Sequence, residues 1–232
     1  MKASLQQGRF KGSLQEMNVM KPREVVIPTG RARMKGLLGI PSNAKGVVIF
    51  AHGSGSGRLS PRNNFVAQVL QYNGMATLLV DLLEEPEALD RRKVFDIDLL
   101  ADRLSTNAEW AQEQTEIRGL PLGYFGASTG AAAALNATAK NPQGIAAIVS
   151  RGGRPDLAID YLALVRSPTL LIVGGKDEVV IPLNELAYKN LRCPKEIVIV
   201  PGATHLFEEP GALEKVAELA RDWFLKYFLP SA

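Results

Sequence analysis

Cysteine and histidine are nearly absent from this 232-residue sequence, which has one of the first, Cys193, and two of the second, His52 and His205. A single cysteine excludes an internal disulfide and any C-x-x-C redox or zinc motif. Its flank, Leu191-Arg192-Cys193-Pro194, reads as a helix end before a strand, so Cys193 is expected to be a packing residue. Two histidines are too few for a His-rich metal centre, and no H-E-x-x-H occurs. Neither a metal nor a cofactor is expected. Long apolar runs are missing as well. The longest are of strand length, well short of the ~18–20 residues a membrane span needs. The first 20 residues hold no hydrophobic signal region. These absences favour a cytoplasmic protein with no membrane partner.

The formal net charge of +3 also shrinks on inspection. Residues 1–23 carry five basic side chains (Lys2, Arg9, Lys11, Lys21 and Arg23) against Glu16, and the remainder is close to neutral with a charge of −1. A basic nucleic-acid-binding surface on the folded part is thereby excluded. Hydrophobic residues at 46% and charged residues at 22% are ordinary for a globular chain, and the length suits one domain with a sizeable core. The expected organisation is a polar, flexible tail over residues 1–22 and a single domain over residues 23–232.

What is present is a regular alternation. Glu24 to Ile27 and Met34 to Ile40 read as a hairpin-forming pair. Strand-like runs then alternate with helical ones: Val47–Phe50, Ala76–Val80, Leu120–Phe125, Ile145–Val149, Leu170–Val173 and Glu196–Val200. That order predicts an α/β fold, a mostly parallel twisted sheet with helices on both faces. Ser60-Pro61 marks the start of a helix to Tyr72. Near Asp96 to Trp110, the residues Ile97, Leu100, Ala101, Leu104 and Ala108 share one helical face. Leu213, Val216, Ala217, Ala220, Trp223, Phe224 and Tyr227 do so in the last helix, where the aromatics are read as core. The acidic run Glu84-Glu85-Pro86-Glu87 reads as a solvated loop. Between the sixth and seventh strands there is room for one short helix near Leu157–Val165 but not for a lid, which predicts a shallow, open site.

The chemistry sits in the loops. Gly126-Ala127-Ser128-Thr129-Gly130 fits G-x-S-x-G between a strand-like run and the helical stretch Ala131 to Ala139. In that context the motif is a nucleophile elbow, whose tight turn lifts the serine oxygen clear of the sheet at the positive end of a helix. A serine nucleophile needs a base, and the base needs an orienting carboxylate. His205 follows the strand-like run ending at Val200, and Asp177 follows the one ending at Val173. Ser128, Asp177 and His205 stand in the chain order of the α/β-hydrolases. His52 opens His52-Gly53-Ser54-Gly55-Ser56-Gly57 after the third strand, the place of an oxyanion-hole loop. It is expected to hold that loop rather than act as base. The same loop fails as a phosphate-binding motif, since neither G-x-G-x-x-G nor a following Gly-Lys-Ser/Thr is present.

The chain resembles the dienelactone-hydrolase-like branch of the α/β-hydrolases over roughly residues 23–229. The resemblance rests on the segments 51–57, 126–130, 150–155, 174–177 and 202–205. It implies an esterase or lactonase on the α/β-hydrolase fold with Ser128, Asp177 and His205 as the triad. It also implies an oxyanion hole made by the backbone N–H groups of Ser54 or Gly55 and of Thr129. The dienelactone hydrolases proper carry cysteine at the nucleophile position, so serine here puts dienelactone itself in doubt as substrate. Some similar sequences are fused to a phosphoribosyltransferase domain, and no segment of this sequence is long enough to be one. An acyltransferase or peptidase on the same triad, or a non-catalytic binding protein on the same scaffold, are the alternatives. The expected partner is a small ester or lactone. Arg58, Arg151 and Arg154 lie where they could reach its rim and grip an anionic group, or could equally pair with nearby acids.

Overall fold

The computed structural model describes residues 21–142 and 144–229. The tail expected over residues 1–22 lies, up to Met20, outside them. Eight strands form one sheet: β1 (Arg23–Thr29), β2 (Ala32–Gly39), β3 (Val47–Ala51), β4 (Ala76–Val80), β5 (Leu122–Ala127), β6 (Ile145–Arg151), β7 (Thr169–Gly174) and β8 (Lys195–Val200). Their order across the sheet is 1-2-4-3-5-6-7-8. The hairpin β1–β2 is antiparallel, and β2 runs antiparallel to β4. From β4 to β8 every neighbouring pair is parallel. All the loops that leave the carboxyl ends of β3 to β8 therefore open on one edge, where ligands of such sheets bind.

Both faces of the sheet are covered, which is why the central strands are apolar throughout rather than alternating with polar residues. In β3, Val47, Ile49 and Ala51 enter one core cluster while Val48 and Phe50 enter the other. The helices α1 (Pro61–Tyr72) and α6 (Ala212–Phe228) pack over the second cluster, and α3 (Ile97–Glu113), α4 (Thr129–Lys140) and α5 (Val180–Asn190) over the first. Between β4 and α3 lie a 3-10 turn (Glu87–Leu89) and the single turn α2 (Arg91–Val94). Phe50 and Phe125 meet at 4.9 Å between ring centroids, and Phe224 packs on Phe228 at 5.4 Å. Burying each such side chain contributes about 1.5–3 kcal/mol. Cys193 is buried beside Thr169, and burial pushes its thiol pKa up, in keeping with a packing role.

Local signals set the ends. Pro61 occupies the first turn of α1, and the Ser60 hydroxyl accepts the Asn63 N–H at 3.4 Å. Asp96 caps α3 by accepting the Leu99 N–H at 3.0 Å. No cap domain is inserted after β6. The short helix expected near Leu157–Val165 is a 3-10 helix over Pro155–Leu164, kinked at Ala158. Among the described residues no helix is long and apolar enough to cross a membrane.

The acidic run after β4 is only partly the solvated loop expected. Glu85 is exposed beside Lys35. Glu87 instead turns inward, where its two oxygens receive Arg103 Nη1 at 2.6 Å and Nη2 at 2.9 Å, with Lys93 at 2.7 Å. Arg103 beside it holds the Glu87 carboxyl down at about 2.

Candidate active site

β5 lies inside the sheet, and Ser128 follows its last residue. The Ser128 backbone has φ +51° and ψ −121°, a left-handed conformation that a residue with a Cβ adopts at a cost of about 1–3 kcal/mol. The surroundings enforce it. Its N–H donates to Arg151 O (3.3 Å), and its carbonyl accepts from Ala131 N (3.1 Å) and Arg154 N (3.0 Å). The two flanking glycines are explained by close approach. A Cβ at Gly126 would lie 2.4 Å from Ala131 Cα, and one at Gly130 would lie 2.1 Å from Ala51 O.

The carboxylate and the imidazole arrive from the next two strands beyond β6. Asp177 follows β7 and His205 follows β8. His205 Nδ1 lies 2.7 Å from Asp177 Oδ2, with the Asp177 side chain largely buried and that of His205 about one-third exposed. An Nδ1–H donated to the carboxylate leaves Nε2 as the proton-accepting nitrogen. Backbone bonds stitch the two loops together: Lys176 N donates to Ala203 O, and Gly175 N to Val200 O, each at 2.8 Å. The turn after the histidine is itself strained, with Phe207 at φ +56° and fully buried.

The glycine-rich loop after β3 forms the opposite wall. His52 is half-buried and holds this loop, as expected. Its Nε2 accepts the Leu82 N–H at 3.1 Å, which leaves Nδ1 to donate to Gly53 O at 2.9 Å. Both nitrogens are satisfied in the neutral ring, and burial lowers the pKa. Thr129 is the first residue of α4, so its N–H has no acceptor within the helix. The loop donors need one correction. The Ser54 N–H is already donated to Thr129 Oγ1 at 3.1 Å. Of the two expected, only Gly55 keeps its N–H unengaged among the described residues. The threonine side chain thus ties the oxyanion loop to the elbow. Sequence reading gave Thr129 only a backbone role, because the loop that it holds is 75 residues away.

Ser128, His205, Gly53 to Gly57, Arg62, Arg151 and Leu206 line one cleft of about 500 Å³. The three arginines part company here. Arg58 is bound to Asp81, which takes both its guanidinium and its backbone N–H. Arg154 makes a two-pronged bond to Asp156 at 2.9 and 2.8 Å. Neither lines the cleft, so the structure does not bring them to the site; a neighbouring carboxylate holds each. Arg151 does line it. Arg62, at the start of α1, also lines it and was not expected. Its only sequence signal was its place in the first turn of the helix that follows the glycine loop.

The sequence profile of the dienelactone hydrolase family matches residues 34–229. The chain belongs to this family. The dienelactone hydrolase of Anabaena variabilis, whose crystal structure is known, is 52% identical to this family member. The two superpose with a TM-score of 0.86 over 89% of this chain and 99% of that one. Est1E from Butyrivibrio proteoclasticus shares the fold at 16% identity, with a TM-score of 0.76 over 88% of this chain and 98% of that one. A Mycobacterium tuberculosis protein that carries the provisional name of a phosphoribosyl transferase is 52% identical over 208 residues, which are 90% of this chain and 47% of the relative. This dienelactone hydrolase family member thus spans about half the length of the curated relatives that it matches. The family and these structures give the chain the α/β-hydrolase fold.

Proposed function

We propose that the protein is a serine hydrolase that cleaves small carboxylic esters or lactones through an acyl-enzyme. The observation that carries this reading is the convergence of a strained elbow serine and a carboxylate-paired histidine on one cleft. Ser128 Oγ attacks the substrate carbonyl, and its proton passes to His205 Nε2. Asp177 holds the imidazole in the productive tautomer and stabilises its charge. The oxyanion is met by the backbone N–H groups of Thr129 and Gly55, which need no reorganisation to receive it. The imidazolium then protonates the leaving alkoxide. Water then attacks the acyl carbon as His205 takes its proton, and the bond to Ser128 Oγ breaks as His205 returns that proton to the serine oxygen, which frees the acid.

The open cleft and the absence of a cap favour small, soluble esters over long acyl chains. A panel of p-nitrophenyl esters and lactones tests the reading. Ser128→Ala should lower kcat by a factor on the order of 10⁶. Asp177→Asn should lower it by a factor on the order of 10⁴, because the imidazole would be left in the wrong tautomer. Activity retained in Ser128→Ala would refute the assignment. A panel on which the wild type turns over nothing, while it transfers an acyl group to an added amine or alcohol, would point to the acyltransferase alternative.

A further inference from the structure

We propose that Arg151 and Arg62 form an anion subsite in the wall of the cleft that takes a phosphate group borne by the substrate. This rests on the ester-hydrolase reading, which supplies the substrate but not the subsite. Arg151 is the last residue of β6, with only 7% of its surface exposed. Its guanidinium lies 6.0 Å above the Phe207 ring, and its Nε and Nη1 have no hydrogen-bond partner. A buried cation normally has a carboxylate beside it, because desolvation without a partner is expensive. Acids on the loops at the carboxyl ends of the strands hold other groups. Asp81 holds Arg58, Asp156 holds Arg154, Asp177 holds His205, and Glu208 holds Arg62. Among the described residues Arg151 enters no ion pair. Burial, with the nearby Arg62, pushes its pKa down to about 10, which still leaves it charged at neutral pH.

Arg62 completes the pair from the start of α1. Its Nη1 reaches Glu208 at 2.9 Å, but that carboxylate is mostly exposed, and the buried Nε of Arg62 has no partner. Both arginines and Ser128 line the same cleft, so an anion held there belongs to the molecule being cleaved. Three buried nitrogens await acceptors. A carboxylate has two oxygens and one charge. A phosphate monoester has three terminal oxygens and close to two charges near pH 7, and it matches the pair better in number and in charge. Phosphate would also compete with Glu208 for Arg62, so Glu208 tunes the subsite.

Binding of inorganic phosphate, followed by calorimetry in Ser128→Ala and in the wild type, tests the subsite without reference to turnover. Phosphate should bind in both, and Arg151→Gln and Arg62→Gln should each weaken it by roughly tenfold or more, the worth of a charge-assisted hydrogen bond. Arg62→Gln alters a partly exposed side chain and keeps the test alive should Arg151→Gln fold poorly. Glu208→Gln should tighten phosphate binding roughly two- to fivefold, the worth of an exposed ion pair. A purely structural arginine pair would not give that result. In turnover, an acetyl ester of glycerol phosphate should lose at least tenfold more kcat/KM in the arginine variants than its neutral acetyl-glycerol counterpart. A carboxylate-bearing ester serves as the third arm. A larger loss for it than for the phosphate ester would overturn the choice of phosphate. Absence of phosphate binding in the wild type would overturn the subsite even if esters are cleaved. Binding without cleavage of any ester would sink the hydrolase reading and leave the subsite standing.

Discussion

Among the described residues two that bear side chains have positive φ, Ser128 at the elbow and Phe207 just after His205. Both are kept there by a dense surround: the carbonyl of Ser128 takes two N–H groups, and Phe207 lies fully buried beneath Arg151. Strain of this kind persists where the rest of the fold over-determines it, and it collects at functional sites. His52 contributes differently, through a neutral ring that bridges the oxyanion loop to the end of β4. Its folded pKa is lowered, with burial as the main cause. Below about pH 6.5 the unfolded chain takes up a proton at this residue that the folded chain refuses. The stability it contributes is therefore present above that pH and is lost as pH falls toward the folded pKa. Thermal unfolding at pH 7.5 and 5.5 should show a larger drop for the wild type than for His52→Asn, which cannot titrate in this range. Equal drops would mean that His52 is protonated in the fold.

At the scale of elements, the order of strands and the placing of the motif loops were legible from the sequence. Parallel strands covered on both faces are continuous apolar runs, and Val47–Phe50, Leu170–Val173 and their like stand out against polar loops. Of helix α5 only the end, before Cys193, was read. Its start at Val180 has no side-chain cap to announce it. The Glu87–Arg103 pair was equally hidden, since charge pattern alone does not tell a solvated glutamate from one folded back onto α3. Arg103 is buried and its other guanidinium contact is only the Leu82 carbonyl. Glu87→Gln should accordingly destabilise the fold by about 1–3 kcal/mol, the penalty of under-satisfying a buried polar group. Urea unfolding at pH 7 measures it. The difference between wild type and variant should shrink as pH falls from about 4.5 toward about 2, where the wild-type carboxylate itself is protonated. A variant as stable as the wild type at pH 7 would show that Arg103 needs no partner.

For the whole molecule, the sheet order brings residues 128, 177 and 205 together because β5, β7 and β8 all end on the same edge. That convergence was foreseeable from chain order, since only one histidine falls in a loop after a late strand. The fate of the arginines was not, because it depends on which carboxylates the fold sets beside them. Asp156 is two residues from Arg154, yet Asp81 reaches Arg58 across 23 residues, and Arg151 is left with none. The central claim is that Ser128, activated by His205 and Asp177, is the nucleophile. Labelling with a neutral fluorophosphonate, followed by peptide mapping, tests it most directly. The account predicts a single adduct on the peptide containing Ser128, absent from Ser128→Ala and formed far more slowly in His205→Ala. An adduct on another residue, or one that persists in Ser128→Ala, would contradict it.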